Sequence, residues 1–139
     1  MSDKQFKVLI VEDHIALGQA WQKIISDEGY KVVGICTNES EAVHTAKNLN
    51  PDIVLMDINL KKGNGLQATT RIKKNNSEIR IIALSMHSDR SHVNEMLKNG
   101  VDGYVTKVSP RKELLHAITE VLNGNNYICE EVRNKLDQN

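Results

Sequence analysis

The feature that most constrains how this chain can fold is a fivefold alternation of short apolar runs with segments of helical periodicity. The apolar runs are rich in β-branched residues, as in FKVLIV at positions 6–11 and IRIIALS at 79–85. In the longer segments that follow them, apolar residues recur at the spacing of a helix face. Parallel strands need such crossovers, so the pattern predicts an α/β fold: a (βα)5 domain with helices on both faces of a parallel sheet.

Residues that favour helix ends mark the borders of several predicted helices. A side-chain oxygen before a helix can accept a hydrogen bond from one of its first N–H groups. We expect such caps at Asn38 or Ser40, at Ser88 or Asp89, and at Ser109, with Pro110 at the first helical position. After Gly124 the chain is mostly polar, and the spacing of Ile128, Val132 and Leu136 allows a short terminal helix.

Size and charge exclude several classes of protein. The chain has 139 residues, the size of one ordinary domain, and its 18 basic and 18 acidic residues cancel. A net charge of zero argues against a nucleic-acid-binding domain, which usually carries a basic stripe. No window is apolar enough for a membrane span, and the polar start MSDKQFK is not a signal peptide. The distant Cys36 and Cys129 fit reduced thiols, so we expect a cytoplasmic protein.

Candidate site residues, nearly all of them polar or charged, follow four of the five predicted strands. They are Glu12 and Asp13 after the first, Asp57 at the end of the third, Ser85, Met86 and His87 after the fourth, and Thr106 and Lys107 after the fifth. The carboxyl ends of parallel strands lie at one edge of the sheet, where ligands of open α/β folds bind. Burying Asp57 alone would be costly, so its neighbours predict a hard divalent cation on one side and Lys107 on the other.

These residue types suit phosphoryl transfer. A carboxylate oxygen can attack phosphorus and form an acyl phosphate. The charge on the phosphoryl oxygens needs a metal ion and a cation, which are roles open to Mg²⁺ and Lys107. Each residue also has an ordinary explanation: Asp57 can initiate a turn, Ser85 can cap a helix, and the acidic pair after the first strand favours a helix start. These explanations do not account for the joint occurrence of all of them at one edge.

Four segments resemble the receiver domain of bacterial two-component response regulators. They are VLIVEDH, PDIVLMDINL, ALSMH and GVDGYVTK, in the order and at the spacing of that family, and the resemblance runs from about Lys7 to Asn123. It implies a flavodoxin-like, doubly wound (βα)5 sandwich whose parallel five-stranded sheet has the strand order 2-1-3-4-5. It also implies that Asp57 is the phosphoacceptor, assisted by Lys107 and Ser85.

A Mg²⁺ site is expected around the phosphoacceptor. From their charges, Asp13 and Asp57 should bind the ion directly, with Glu12 acting through water. The resemblance adds the backbone carbonyl of Asn59 as a further ligand.

The resemblance also implies a conformational switch. Ser85 would donate a hydrogen bond to the phosphoryl group, and the ring of Tyr104 would then move inward from a more exposed position. The positions of Asn59, Met86 and His87 are those that tune loss of the phosphoryl group in the family.

Within the family, ALSMH, GYVTKVSPRKELLHAI and VLNGNNYI resemble the NarL/FixJ-type group, whose full-length members carry a C-terminal LuxR-type helix-turn-helix. We therefore expect a receiver domain at 1–124, and at 125–139 a tail or the start of a linker to an output domain absent from this chain. The implied partners are a sensor histidine kinase and a second copy of the chain after phosphorylation. DNA would be bound, and transcription regulated, only through the output domain. The dimer would form through the fourth helix, fifth strand and fifth helix, or through the first and fifth helices.

Two other functions fit this edge of the sheet less well. A haloacid-dehalogenase-type phosphatase also uses a strand-end aspartate with Mg²⁺, but it usually needs a second aspartate two residues later. Here that residue is Asn59, which cannot act as an acid. An interaction module that is never phosphorylated would need neither Asp57 nor Lys107. We therefore expect a phosphoacceptor that assists its own phosphorylation and dephosphorylation, and not an enzyme.

Two expectations concern other ring side chains. Trp21 falls on the apolar stripe of the first helix and is predicted to lie in the core. The five histidines share no spacing typical of a metal site, and we expect His14 and His87 at the rim of the strand-end site.

Overall fold

Six parallel strands form a single sheet in the structure, a computed structural model that describes residues 5–136. The strands are β1 (Lys7–Val11), β2 (Lys31–Cys36), β3 (Ile53–Asp57), β4 (Arg80–Ser85), β5 (Gly103–Thr106) and β6 (Tyr127–Ile128). Their order is β2-β1-β3-β4-β5-β6. The predicted order of the first five strands is confirmed, and the sixth strand is an addition that was not predicted.

Helices connect the strands and extend to the end of the described segment. They are α1 (Ile15–Asp27), α2 (Glu39–Leu49), α3 (Gly65–Asn75), α4 (Arg90–Lys98), α5 (Arg111–Leu122) and α6 (Glu130–Leu136). The helix α2 packs against α3, while α1 and α5 together line a groove of about 190 Å³. Within the part of the chain that the structure describes, no helix is long and apolar enough to cross a membrane.

The central strands explain why the apolar runs are nearly continuous. All side chains of Val8–Val11 and Ile53–Met56 are fully buried, because helices cover both faces of the sheet. On α1, Trp21 and Ile25 face the same core, with Trp21 only 6% exposed. The predicted core position of Trp21 is therefore confirmed.

Two of the predicted helix caps are confirmed, and one is wrong. Asn38 accepts a hydrogen bond from the first turn of α2, and Asp89 does the same for α4. Ser109 does not cap α5: Pro110 takes the cap position, with an extended ψ of 150° and no side-chain hydrogen bond, and the helix begins at Arg111. The Ser109 hydroxyl is instead 2.9 Å from the Thr106 hydroxyl, which keeps it at the end of β5.

The C-terminal segment folds back onto the domain. The strand β6 extends the sheet beside β5, and α6 packs against α4 and β5. The Tyr127 hydroxyl donates a hydrogen bond to Glu113 at 2.8 Å, which ties β6 to α5. The short helix suggested by the spacing of Ile128, Val132 and Leu136 is present, but it begins at Glu130, and Ile128 lies in β6 instead. Val132 is the fully buried residue of this helix.

Candidate functional site

Three charged side chains meet at the carboxyl edge of the sheet. Glu12 follows β1, Asp57 ends β3, and Lys107 follows β5. The Lys107 Nζ lies 3.0 Å from Glu12 Oε1 and 2.9 Å from Asp57 Oδ1. Both carboxylates are fully buried, and the lysine side chain is 12% exposed. The ammonium group therefore ties the end of β5 to the ends of β1 and β3 across β4.

The two oxygens of Asp57 differ in their surroundings. Oδ1 accepts a hydrogen bond from the backbone N–H of Asn59 at 2.9 Å and contacts the Lys107 ammonium. Oδ2 is buried and has no hydrogen-bond partner. A buried charged oxygen without a donor is costly, so Oδ2 is the atom on which a bound cation or an electrophile would act most favourably.

A third carboxylate completes an oxygen cluster. Asp13 is half-buried, and its Oδ2 accepts a hydrogen bond from the backbone N–H of Lys61 at 2.7 Å. One oxygen from each of Glu12, Asp13 and Asp57 lies within 4.8 Å of the others. With all three ionised, one ammonium group leaves two negative charges uncompensated. The structure thus brings together the acidic residues predicted from the sequence, and this donor set fits a hard cation such as Mg²⁺.

Burial and pairing shift the ionisation of this cluster in opposite senses. Burial raises the pKa of Glu12, although hydrogen bonds from the His14 N–H and from Lys107 partly offset it. Burial alone would lower the pKa of Lys107, but hydrogen bonds to Asp57 and Glu12 outweigh it and raise the pKa overall. The lysine therefore stays charged across the physiological range, as a residue that stabilises anions must.

The residues predicted to form the switch lie at the ends of β4 and β5. Ser85 is buried, and its Oγ accepts a hydrogen bond from the His87 N–H at 3.0 Å. Tyr104 is also fully buried, and its hydroxyl donates to the His87 carbonyl at 2.6 Å. Burial raises the pKa of Tyr104, while the Ser85 hydroxyl acts in the opposite direction. The Tyr104 ring is therefore in the inward position that the resemblance associates with phosphorylation.

The residues expected to tune the site lie at its surface. The Asn59 side chain and the His87 ring are exposed, and Met86 is 62% exposed. They lie around this edge of the sheet, and within the described residues their side chains make no hydrogen bond to the buried Asp57 oxygens. His14 is likewise exposed and caps α1, with its Nδ1 accepting from the Leu17 N–H at 3.3 Å.

One residue that shapes the site was missed from the sequence. Gly65 opens α3 directly against β3, and a Cβ added there would lie 2.3 Å from the Asp57 carbonyl oxygen and 2.7 Å from the Ile58 Cα. Only glycine allows the start of α3 to lie this close to β3, and this contact fixes the backbone position of Asp57. The signal was the NG pair at 64–65, which also supplies the α3 cap through Asn64.

Two histidines whose spacing in the sequence is not that of a metal site lie close together in the structure. His87, Asp89 and His92 lie close together at the start of α4, and all three are exposed. The two rings are stacked, with centroids 4.2 Å apart and an angle of 5° between their planes. An imidazole nitrogen binds a metal in the plane of its ring, and nearly parallel planes share no such point. In this arrangement the cluster cannot bind one ion through both rings.

The sequence matches the response regulator receiver domain family over residues 8–119. The chain belongs to this family. It is 31% identical over 137 residues to the transcriptional regulatory protein DegU of Brevibacillus brevis, covering 98% of this chain but only 58% of that protein. It superposes on a LuxR-family two-component response regulator from Aurantimonas sp. SI85-9A1 with a TM-score of 0.92 and 28% identity, covering 96% of both chains. It also superposes on a chain of the CheX–CheY–BeF3⁻–Mg²⁺ complex from Borrelia burgdorferi, with a TM-score of 0.79 and 28% identity over 84% of this chain and 88% of that one.

These likenesses confirm the predicted family, its NarL/FixJ (LuxR-type) group and the flavodoxin-like fold. Receiver domains are the phosphoacceptors of two-component response regulators. They generally depend on Mg²⁺, and response regulators are generally signal transducers and not enzymes. The chain spans less than two thirds of the length of DegU.

We predict that Asp57→Asn stabilises the protein in the absence of divalent cations. The amide keeps an oxygen for the Asn59 N–H and Lys107, and it removes a buried negative charge that the single ammonium group does not compensate. Removing this uncompensated buried charge should raise the free energy of unfolding by about 1–3 kcal/mol. Urea unfolding in EDTA, followed by Trp21 fluorescence, measures this change.

The control for this experiment is Asp27→Asn, which removes an exposed carboxylate 3.3 Å from Lys23. It should change the free energy of unfolding by less than about 0.5 kcal/mol. A lower unfolding midpoint for Asp57→Asn than for the wild type would contradict the assignment of an unsatisfied charge to Asp57.

Proposed function

We propose that Asp57 accepts a phosphoryl group from a phosphohistidine of a sensor histidine kinase. The observation that supports this most directly is the buried Asp57 Oδ2, which has no hydrogen-bond partner while Oδ1 is held by Lys107 and the Asn59 N–H. Oδ2 attacks phosphorus, the phosphorus–nitrogen bond breaks, and its electron pair leaves on the imidazole nitrogen. The product is an aspartyl phosphate.

Mg²⁺ is the cofactor that these residues fit. The three carboxylates have oxygens within 4.8 Å of one another, and one ammonium group does not neutralise them, which supports a hard divalent cation. Asp13 and Asp57 would hold it directly, Glu12 through water, and Asn59 through its backbone carbonyl. Bound Mg²⁺ would offset negative charge on the phosphoryl oxygens. The related CheX–CheY complex, which contains BeF3⁻ and Mg²⁺, agrees with this choice.

Lys107 and Ser85 would stabilise the transferred group. The ammonium group already contacts Asp57 at 2.9 Å, so it can pair with a phosphoryl oxygen with little movement. The buried Ser85 hydroxyl can donate to a second oxygen and would pull the loop after β4 inward. The Tyr104 hydroxyl donates a hydrogen bond to the His87 carbonyl in that loop, so the inward movement of the loop would hold the ring inward.

Hydrolysis of the aspartyl phosphate would be assisted by the domain itself without making it a turnover enzyme. The residue two places after Asp57 is Asn59, which supplies no acidic proton for the leaving group of a phosphatase reaction. Asn59, Met86 and His87 are exposed around the site, where they would control the access of water to the phosphoryl group.

The kinase would dock on an apolar rim around the site. Of the large hydrophobic side chains that are exposed within residues 5–136, three follow β1, β4 and β5: Ile15 at 63%, Met86 at 62% and Val108 at 70% exposed. Together they form an exposed apolar surface at the edge of the sheet from which a kinase would approach Asp57. A kinase helix that carries the phosphohistidine would cover them.

A phosphorylated homodimer would use α1 and α5, the second of the two faces considered from the sequence. The other face, formed by α4, β5 and α5, is partly covered by α6 and β6. The groove between α1 and α5 is open and is lined by Leu17, Ala20, Trp21, Ile24 and Leu114, among others.

Where it is joined to a DNA-binding output domain, this receiver domain would regulate transcription in the cytoplasm. This proposal rests on the likeness to DegU and to the LuxR-family regulator. Residues 1–124 would be the receiver and 125–139 a tail or the start of a linker, with any DNA contacts made by an output domain.

Asp57→Asn should abolish labelling by acetyl phosphate. The amide nitrogen is not a nucleophile toward phosphorus, so intact-mass measurement in Mg²⁺ should show no added phosphoryl group. Asp89→Asn removes an exposed aspartate close to the site and should label as the wild type does. Full labelling of Asp57→Asn would refute the assignment, while rapid multiple turnover by the wild type would favour the hydrolase.

Asp13→Ala should weaken Mg²⁺ binding measured by calorimetry. Asp13 is expected to be a direct ligand, so the loss should be at least the roughly tenfold effect that outer-shell substitutions produce. Asp89→Ala, which removes a carboxylate outside the cluster, should leave the affinity unchanged. Equal affinities for Asp13→Ala and the wild type would exclude this ligand set.

Beryllofluoride, a phosphoryl mimic, should shift the sedimentation of the wild type toward a dimer, and Ala20→Glu should prevent this. Ala20 is exposed and lines the α1–α5 groove, so a carboxylate there would be buried in the dimer. The matched control is Gln22→Glu, which adds the same charge roughly 200° around α1. Dimerisation of Ala20→Glu at wild-type strength would place the interface elsewhere.

A further inference from the structure

The C-terminal clasp, residues 127–136, covers one side of the switch. Its first two residues add β6 to the edge of β5, and the N–H of Cys129 donates to the Tyr104 carbonyl at 2.9 Å. Cys129 and Val132 are both fully buried, although this segment lies beyond the matched receiver domain. The clasp is therefore packed into the domain and is not merely adjacent to it.

Polar contacts join the clasp to the end of β5 and to the segment between β4 and α4. The Thr106 hydroxyl donates to Glu131 Oε1 at 3.1 Å, and the Lys135 ammonium donates to the Ser88 hydroxyl. The Arg90 guanidinium donates to the Lys135 carbonyl at 3.4 Å. Of these three anchor residues on the domain, Thr106 is buried, Ser88 is half-buried in the loop after β4, and Arg90 is exposed at the start of α4.

These anchors lie within a few residues of groups that must contact a phosphoryl group. Thr106 immediately precedes Lys107, and Ser88 is three residues after Ser85. Drawing Lys107 and Ser85 toward a phosphorylated Asp57 would shift both segments. The strength of the clasp contacts would then depend on whether Asp57 is phosphorylated.

Tyr104 determines the direction of this coupling. Its ring is fully buried while the clasp is docked, and its hydroxyl holds the His87 carbonyl at 2.6 Å. An outward ring would need space beside β5 and α4, and these are the two elements against which α6 packs. The docked clasp and the inward ring therefore favour each other.

We propose that the C-terminal clasp is a phosphorylation-coupled intramolecular latch that holds Tyr104 inward on the α4–β5 face. Phosphorylation of Asp57 tightens the clasp, and by thermodynamic reciprocity the docked clasp stabilises the phosphorylated site. This inference rests on the proposed role of Asp57. It also means that a partner of the α4–β5 face would have to displace the chain's own segment.

Hydrogen exchange of the full chain tests the first half of the coupling. Beryllofluoride with Mg²⁺ should slow exchange of amides in residues 128–136 by roughly fivefold or more, the lower end of typical coupling between sites. The reference is the same protein in Mg²⁺ without the mimic. Unchanged exchange in the clasp, with beryllofluoride bound, would overturn the latch and leave the role of Asp57 intact.

Beryllofluoride affinity, measured by calorimetry in saturating Mg²⁺, tests the second half. Lys135→Ala removes the Ser88 contact from an exposed position, and Val132→Ala weakens the buried contact of α6. Both should reduce affinity severalfold, while Asn134→Ala, an exposed change in the same helix, should not. Wild-type affinity in both Lys135→Ala and Val132→Ala would refute the latch. Failure of the wild type to bind beryllofluoride at all would refute the proposed function and this inference with it.

Discussion

The ammonium group of Lys107 is the interaction on which the strand-end site depends. It lies between two fully buried carboxylates, Glu12 and Asp57, that would otherwise repel each other in a medium of low dielectric constant. Without it the carboxyl ends of β1 and β3 could not both carry an acid in the core. One cation nevertheless cannot neutralise three carboxylates. The carboxylate cluster is therefore stable enough to form in the folded protein, and it retains a net negative charge that can attract a cation.

The backbone of one residue, His87, connects Ser85 to the buried ring of Tyr104. The N–H of His87 donates to Ser85, which can reach the phosphoryl group, and the carbonyl of His87 accepts from Tyr104. In the proposed switch, a movement of Ser85 would reach the aromatic ring through the backbone of this one residue. Because Tyr104 also lies on β5, next to the strand β6, the same movement would reach the C-terminal segment.

The sequence predicted most of the fold and the reactive residues because both depend on local patterns. Continuous apolar runs identified the strands, and the rule that strand ends meet at one edge placed Asp57 beside Lys107. The details that it missed depend on approaches between distant segments. The two-residue β6 has no periodicity to detect, and Gly65 is required only because α3 starts against the Asp57 carbonyl. The cap of α5 was wrong because the extended backbone of Pro110 delays the helix by one residue.

The two-residue strand β6 has a consequence for association between chains. It takes up backbone groups along β5, a strand whose four residues are all buried and which would otherwise end the sheet. An apolar edge of that kind is a template for pairing with a strand of another molecule. The opposite edge, β2, begins with the exposed Lys31, a charge that discourages such pairing. Detachment of residues 127–136 would therefore expose a surface prone to aggregation or strand exchange, so the segment also protects the solubility of the domain.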